Sequence, residues 1–286
     1  MISAFCPAHI TCFFQPVDAV DVLAKGSRGA GIRLNLGTTV ELEERSSGES
    51  RVTLDDIDSD APITKAVLNS LAPKRSFNVT VKNDLPTGQG FGMSASGAIA
   101  ASLCVCELLG LRREEAFKAA HIAEVTCGGG LGDVSGLICE AHQPIRISAG
   151  LPPIGEVIDS EVKFNNLTLA VLGPKLNTFD ILSDMRKYTR ISEVGALAMS
   201  DYIDNASKEA LFRVSNKFSS GIKMESILMS KAIRELKERG IRSGMCMLGN
   251  SMFIDSFEDV VRDVLDDVQL FTARSTDVPA RVIRKV

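Results

Sequence analysis

Eight of the chain's 23 glycines fall in two short windows, and each window carries side chains able to do chemistry. The first reads Leu85-Pro86-Thr87-Gly88-Gln89-Gly90-Phe91-Gly92-Met93-Ser94-Ala95-Ser96-Gly97 and runs straight into a stretch of small residues. Glycines at alternate positions let a backbone approach a ligand closely and turn its N–H groups inward, while a following helix offers its positive end to an anion. The chemistry is that of a phosphate cradle. A tight turn ahead of a buried helix is the plainer alternative, but four glycines plus Ser94 and Ser96 exceed what a turn requires. The G-x-x-x-x-G-K-[ST] pattern of a Walker A loop does not occur.

The second window, Gly128-Gly129-Gly130-Leu131-Gly132-Asp133, brings in carboxylates. Positions 117, 120, 121 and 124 share one face of a helix, so Glu124 lies with Phe117 and Ala120, away from the solvated charges Arg112, Glu115 and Lys118. A carboxylate on an inward face needs a partner. Asp133 closes the glycine loop, where its simplest use is as an N-cap for the segment from Val134 to Ala141. Beside a phosphate cradle, one carboxylate as magnesium ligand and the other as base toward an attacking hydroxyl make a kinase set. Gly90-Phe91-Gly92-Met93-Ser94-Ala95 also fits G-x-G-x-x-[GA], the dinucleotide fingerprint. The strand Phe77 to Lys82 ends too early for that loop, and the acid about 20 residues on, Glu107, sits inside a helical pattern.

Elements must hold these windows in place. Ile32 to Glu43 and Phe77 to Lys82 alternate as strands; a helix apolar on nearly every side spans Met93 to Leu109 and ends at Gly110, and an amphipathic one spans Arg112 to Thr126. Leu151-Pro152-Pro153 is the strongest boundary signal, dividing the chain into residues 1–153 and 154–286. The second half reads as a strand at Leu167 to Leu172, a helical pattern from Ser183 to Glu238, and strand, turn, strand over Gly244 to Ile254. An amphipathic helix at Glu258 to Val268 and a closing strand near Pro279 to Ile283 follow. This alternation with an antiparallel sheet makes the class α+β.

Composition narrows the function classes. With 32 basic against 36 acidic residues, net charge −4 and no Trp, nothing in the overall field or the aromatic content recruits nucleic acid. Leu85 to Cys106 carries no charge, yet Pro86, Gln89, serines and four glycines make it a poor membrane span. The start, Met1 to Pro7, lacks the basic and apolar regions of a signal peptide. Seven cysteines without a C-x-x-C pair fit buried thiols in a reducing compartment, so a cytoplasmic location is expected.

Pro86-Thr87-Gly88-Gln89-Gly90-Phe91-Gly92-Met93-Ser94-Ala95-Ser96 resembles the P-x-G-x-G-L-G-S-S-A-A signature of the GHMP kinases. Cys6-Pro7-Ala8-His9-Ile10-Thr11 resembles their N-terminal A-P-G-K-[IV]-N motif, and Ser243-Gly244 to Phe253 takes the place of their C-terminal glycine-rich turn. His9 stands where many members carry Lys, and Met93-Ser94 replaces Ser-Ser. With Gly26-Ser27-Arg28-Gly29-Ala30-Gly31 and Gly130-Leu131-Gly132-Asp133-Val134, the pattern looks like the archaeal pantoate kinase branch, which phosphorylates the primary hydroxyl of pantoate on the route to coenzyme A. The resemblance implies a two-lobed fold, an N-terminal nucleotide-binding lobe and a C-terminal ferredoxin-like lobe, with ATP and Mg2+ as cofactors and a homodimer as a family-level expectation. It implies that Pro86, Gly88, Gly90, Gly92, Met93, Ser94, Ala95 and Ser96 wrap the ATP phosphates, that Ser94 and Glu124 serve the metal, and that Asp133 is the base. His9, Arg28 and Arg146 are the candidates for holding the substrate, the arginines because a planar guanidinium fork suits a carboxylate. His121 and His142 are read as structural. The alternatives are another kinase of this type, for homoserine, shikimate or mevalonate, and a catalytically silent member that binds a nucleotide or metabolite.

Overall fold

A long two-stranded ribbon organises the chain, whose computed structural model describes residues 1–285. Strands β1 (Ile2–Val17) and β2 (Gly26–Arg45) pair antiparallel from Ile2↔Leu42 to Val17↔Gly26. Alternation in the sequence marks only residues 32–43 of this ribbon. β1 is buried along almost its whole length, and a strand covered on both faces has no polar side to reveal it. Register irregularities between Pro7 and Ala8 and between Thr11 and Phe13 interrupt the ladder just where His9 and Thr11 sit.

The hairpin β3 (Arg51–Leu54) and β4 (Ile57–Asp58) lies at one edge of this sheet, followed by helix α1 (Pro62–Leu71). β5 (Ser76–Asn83) joins the far half of β2 antiparallel and β3 parallel. Three helices come next: α2 (Met93–Leu109), α3 (Arg113–Thr126) and α4 (Asp133–Ile138). α2 is buried through thirteen of its residues and ends at Gly110 with φ 65°, as its uninterrupted small and apolar sequence requires. β6 (Pro144–Ser148) pairs with the near half of β2 through Gly29↔Arg146, and β7 (Glu156–Asp159) pairs with β6.

A second sheet follows. It is built from β8 (Leu167–Val171), a helical run of α5 (Thr178–Leu182), α6 (Met185–Ile203), α7 (Lys208–Ile222) and α8 (Ile227–Glu238), then β9 (Ser243–Met245), β10 (Ser251–Ile254), α9 (Glu258–Arg262) and β11 (Gln269–Ala273). Its order, β11-β8-β10-β9, is antiparallel throughout and follows the ferredoxin-like β-α-β-β-α-β plan. The side chains of Asp184, Ser207 and Ser226 cap α6, α7 and α8, which divides the unbroken helical pattern of the sequence into three.

The ends of two expected elements, a helix and a strand, are corrected here. The helix from Glu258 stops at Arg262, and the residues beyond it supply strand β11, an outer strand with little alternation. The closing strand is β12 (Arg281–Lys285), which returns to the first sheet beside β1. The division expected at residue 153 falls inside the β6–β7 hairpin of that same sheet.

The core has two parts. One fills the space between the first sheet and α1, α2 and α3, around Phe77, Ile99 and Leu103. The other joins the near half of the ribbon, at Ile10, Phe13 and Ile32, to the second sheet and its helices, around Phe212, Phe218 and Phe253. The stretch of β1 at His9 to Phe13 therefore lies at the seam between the two lobes.

Candidate active site

At that seam lies a cavity of about 620 Å³, a size suited to a small-molecule ligand. The first glycine window supplies one wall through Thr87, Gly88 and Gly90 to Ala95, and the second supplies the facing wall through Gly128 to Asp133. Gly88, Gly90 and Gly92 have φ of 75°, 76° and 67°, a left-handed backbone that favours glycine. The loop they form is held from three directions. His9 N–H donates to Phe91 O at 3.2 Å, Leu176 N–H donates to Gly88 O at 3.0 Å, and the Ser251 hydroxyl donates to Gln89 O. The C-terminal turn seats against it so closely that a methyl group on Gly249 would lie 2.1 Å from Gln89 C. Of the residues proposed for this loop, Pro86 and Ser96 stand outside the cavity wall; Ser96 is buried and donates to Cys6 O at 2.6 Å, which ties α2 to β1.

Glu124, near the end of α3, is buried. Its Oε1 accepts from the Ser94 hydroxyl and its Oε2 accepts from Gly130 N–H at 2.6 Å. Burial pushes its carboxyl up to about 7, against the pull of those two donors, with the charge of Asp133 adding to the rise. The second window is glycine-rich because side chains crowd it: a methyl group would lie 2.5 Å from the Glu124 carboxylate at Gly129, and 2.3 Å from Asp133 Oδ2 at Gly130.

Asp133 opens α4, but its carboxylate does not cap it: the N-cap position falls to Gly132, without a side-chain bond. Instead Oδ1 accepts from His9 Nδ1 at 2.7 Å and from the Thr11 hydroxyl at 3.2 Å, both on β1. Burial alone would raise the Asp133 carboxyl; the hydrogen bond from His9 and the nearby Arg146 guanidinium outweigh it and hold the group below its usual value. His9 is wholly enclosed, and burial holds its ring below its ordinary value and hence neutral. Its two partners assign the tautomer, with Nδ1–H donating to Asp133 and Nε2 accepting from Arg146 Nη1 at 3.4 Å. Arg146 stands behind this pair, buried, with Nη2 3.5 Å from the Thr11 hydroxyl and Nε without a partner.

Arg28 does not join the group. Its Nε donates to Ile147 O at 2.8 Å and its Nη1 to Gln15 Oε1 at 3.2 Å. On a strand neighbouring side chains face opposite ways, and it is Ser27, one residue earlier, that lines the cavity. Thr11, Ser27 and Lys175 are among the wall residues that sequence reasoning passed over. Thr11 was within reach, because it follows His9 by two on the same strand and shares its face. His121 and His142 lie elsewhere, the first with its Nε2 on Val22 O at 3.0 Å and the second with its Nδ1 on Ser275 Oγ at 3.0 Å.

This geometry matches known proteins. Residues 62–140, which hold both glycine windows and both carboxylates, match the family of the GHMP kinases N terminal domain. A pantoate kinase of Thermococcus kodakarensis is 32% identical over 289 aligned positions, covering 94% of this chain and 93% of that one. The chain belongs to the GHMP kinases. A second similar protein, the pantoate kinase of Methanocaldococcus jannaschii, is 29% identical over 91% of this chain and 95% of its own. Among solved structures, one titled "Phosphotransferase related to CoA biosynthesis pathway" superposes with a TM-score of 0.88 at 29% identity, over 100% of this chain and 99% of that one. The mevalonate kinase of Methanococcus jannaschii, at 16% identity and a TM-score of 0.66 over 96% and 98% of the two chains, shares the GHMP kinase fold. Among the described residues no helix is long and apolar enough to cross a membrane.

Proposed function

We propose that the chain is a pantoate kinase, transferring the terminal phosphoryl group of ATP to the primary hydroxyl of pantoate. The observation that carries this reading is the Asp133 carboxylate, held ionised by His9, Thr11 and Arg146 and facing a glycine loop across one cavity. That the two archaeal relatives are pantoate kinases supports the choice of acceptor.

The residues divide the work as follows. The loop from Gly88 to Ala95 and the N-terminus of α2 cradle the phosphates with backbone N–H groups. An adjoining recess of about 510 Å³, which shares Pro62, Thr87, Met93 and Ser94 with the main cavity and adds Val52, Leu54 and Ile63, offers an apolar seat for the base. Pantoate lies at the opposite end. Ser27 and the unpartnered Nε of Arg146 converge beside Gly132, where a methyl group would meet them at 2.3 and 2.6 Å, and suit the substrate carboxylate; Phe14 and Leu131 suit its methyl groups. The acceptor hydroxyl donates to Asp133; as its oxygen bonds to the γ-phosphorus and the bond to ADP breaks, the hydroxyl proton passes to the carboxylate. Because proton loss is late in phosphoryl transfer, an acid held strongly ionised serves here mainly by orienting the hydroxyl.

The donor set fits a magnesium ion. Glu124 is buried with only a hydroxyl and one N–H to offset its charge, and no cluster of three or more metal-ligating side chains exists among the described residues. Such a sparse set matches a cation that completes its shell with waters and substrate phosphates. Glu124 and Ser94 would hold it, and when bound it supplies charge neutralisation to the phosphates. Buried unpaired thiols at Cys6, Cys12, Cys104 and Cys246 accord with a cytoplasmic enzyme.

The test is ADP release with ATP and Mg2+ over pantoate, homoserine, shikimate and mevalonate. Pantoate is expected to be turned over, and failure with pantoate beside success with another acceptor refutes the assignment. Asp133→Asn should lower kcat by about 10²–10⁴ while ATP affinity stays unchanged, and near-wild-type turnover would remove Asp133 from the role of base.

A further inference from the structure

Three charged side chains line the cavity among the described residues: Glu124, Asp133 and Lys175. Two are acids, yet the ligands of the proposed reaction are a polyphosphate and a carboxylate. His9, on the seam strand, is buried and brings no cation to the wall, while Arg146 is enclosed behind Asp133 with its Nε beside Gly132 and Ser27, at the end assigned to the acceptor. The lone cation of the wall comes from the other lobe, on the link between β8 and α5.

That link is built to hold Lys175 at the phosphate loop. Leu176 N–H donates to Gly88 O at 3.0 Å, Gln89 Nε2 donates to Gly173 O at 2.9 Å, and Asn250 Nδ2 donates to Pro174 O at 2.7 Å. The backbone on both sides of Lys175 is thus pinned, two of the three bonds going to the loop itself. Its stem lies on Gly88, where a methyl group would come within 2.7 Å of Lys175 Cβ. The ammonium has no hydrogen-bond or ion-pair partner among the described residues, and it is the one cation that lines the cavity among them. A pinned backbone with a free cation at its tip is the arrangement a polyphosphate recruits.

We propose that Lys175 is the nucleotide-binding cation of this enzyme, its ammonium contacting the terminal phosphates from the C-terminal lobe and so joining the two lobes across the bound nucleotide. This rests on the nucleotide reading of the glycine loop and names a residue which that reading did not include. The contact is a point charge on phosphate, so it depends on charge more than on fork geometry, and Arg in its place should work in part.

The experiment is calorimetric titration of Mg·ADP into the full-length wild type, Lys175→Met and Lys175→Arg, paired with KM values for ATP and pantoate. Loss of one charge-assisted contact predicts roughly 10- to 100-fold weaker ADP binding in K175M, with a flatter salt dependence and most of the affinity restored in K175R. KM for ATP should rise while KM for pantoate and the melting temperature hold, since the residue is exposed. Unchanged ADP affinity in K175M overturns the proposal, as does an equal rise in both KM values. A wild type that binds no nucleotide overturns both this inference and the proposed function. Weakened ADP binding by K175M in a protein that turns over no pantoate supports Lys175 and overturns only the acceptor reading.

Discussion

Glu124 shows how a site residue works against the fold that holds it. Its carboxyl ordinarily titrates near 4.5 and is pushed by burial to about 7, so between those values the folded chain binds a proton that the unfolded chain has released. Stability therefore falls as pH rises through that window, by about 3 kcal/mol in total. In EDTA, Glu124→Gln is expected to melt several degrees above the wild type at pH 8, with the difference vanishing toward pH 5, because the amide can still accept from Gly130 N–H and donate to Ser94. A variant less stable than the wild type at pH 8 would show that the buried charge is not the cost. Kinase activity should be lost, as expected where a destabilising group is kept for function. The sequence allowed Glu124 to be placed on an inward helix face, because periodicity alone determines that. It did not disclose that His9 would be the partner of Asp133, since the two are brought together across 124 positions by the pairing of distant elements.

At the scale of elements, the glycine loop and the two elements it touches behave as one unit. Gly92 and Gly110 bound α2 with nearly the same backbone, φ 67° and 65°, but in unlike surroundings: a methyl group on Gly92 would lie 2.5 Å from His9 O, whereas one on Gly110 meets nothing within 4 Å. Both substitutions to Ala incur the left-handed strain, roughly 1–3 kcal/mol. Only Gly92→Ala should also weaken ATP binding, since it must push the loop off β1, while Gly110→Ala keeps wild-type affinity at a lowered melting temperature. Equal ATP affinities in the two variants would contradict this coupling. Both glycines were legible as loop and helix stop from the chain's own pattern. The neighbour that makes one of them functional was not, because β1 carries no alternation to mark it as a strand.

For the whole molecule, the decisive feature is how the end of the chain is fastened to its beginning. Arg33 is fully buried on β2, and its guanidinium donates to Ala141 O at 3.3 Å, Thr276 O at 3.4 Å and Val278 O at 2.6 Å. Thr276 N–H returns a bond to Arg33 O at 3.0 Å. This clamp leads the chain from β11 back to β12 and the edge of the first sheet. Arg33→Met leaves those carbonyls unpaired and is expected to cost about 3 kcal/mol, with early proteolysis between residues 274 and 285. The midpoint of urea unfolding and the first cleavage site measure it; an unchanged midpoint would mean that the tail is held by other contacts.

What the amino-acid sequence determined by itself is what depends on near neighbours: the helices on either side of the second glycine window, the left-handed turns of the phosphate loop, and the inward face that carries Glu124. The resemblance carried by those motifs supplied the class of kinase. Tertiary structure alone decided which groups meet. It set Arg28 aside in favour of Ser27, enclosed Arg146 behind Asp133, returned β12 to the first sheet and hung Lys175 over the phosphate loop. The physical reason is that local propensity acts over a few residues, whereas the cavity is assembled from strands and loops drawn from both lobes, whose meeting is settled by packing and pairing over the whole chain.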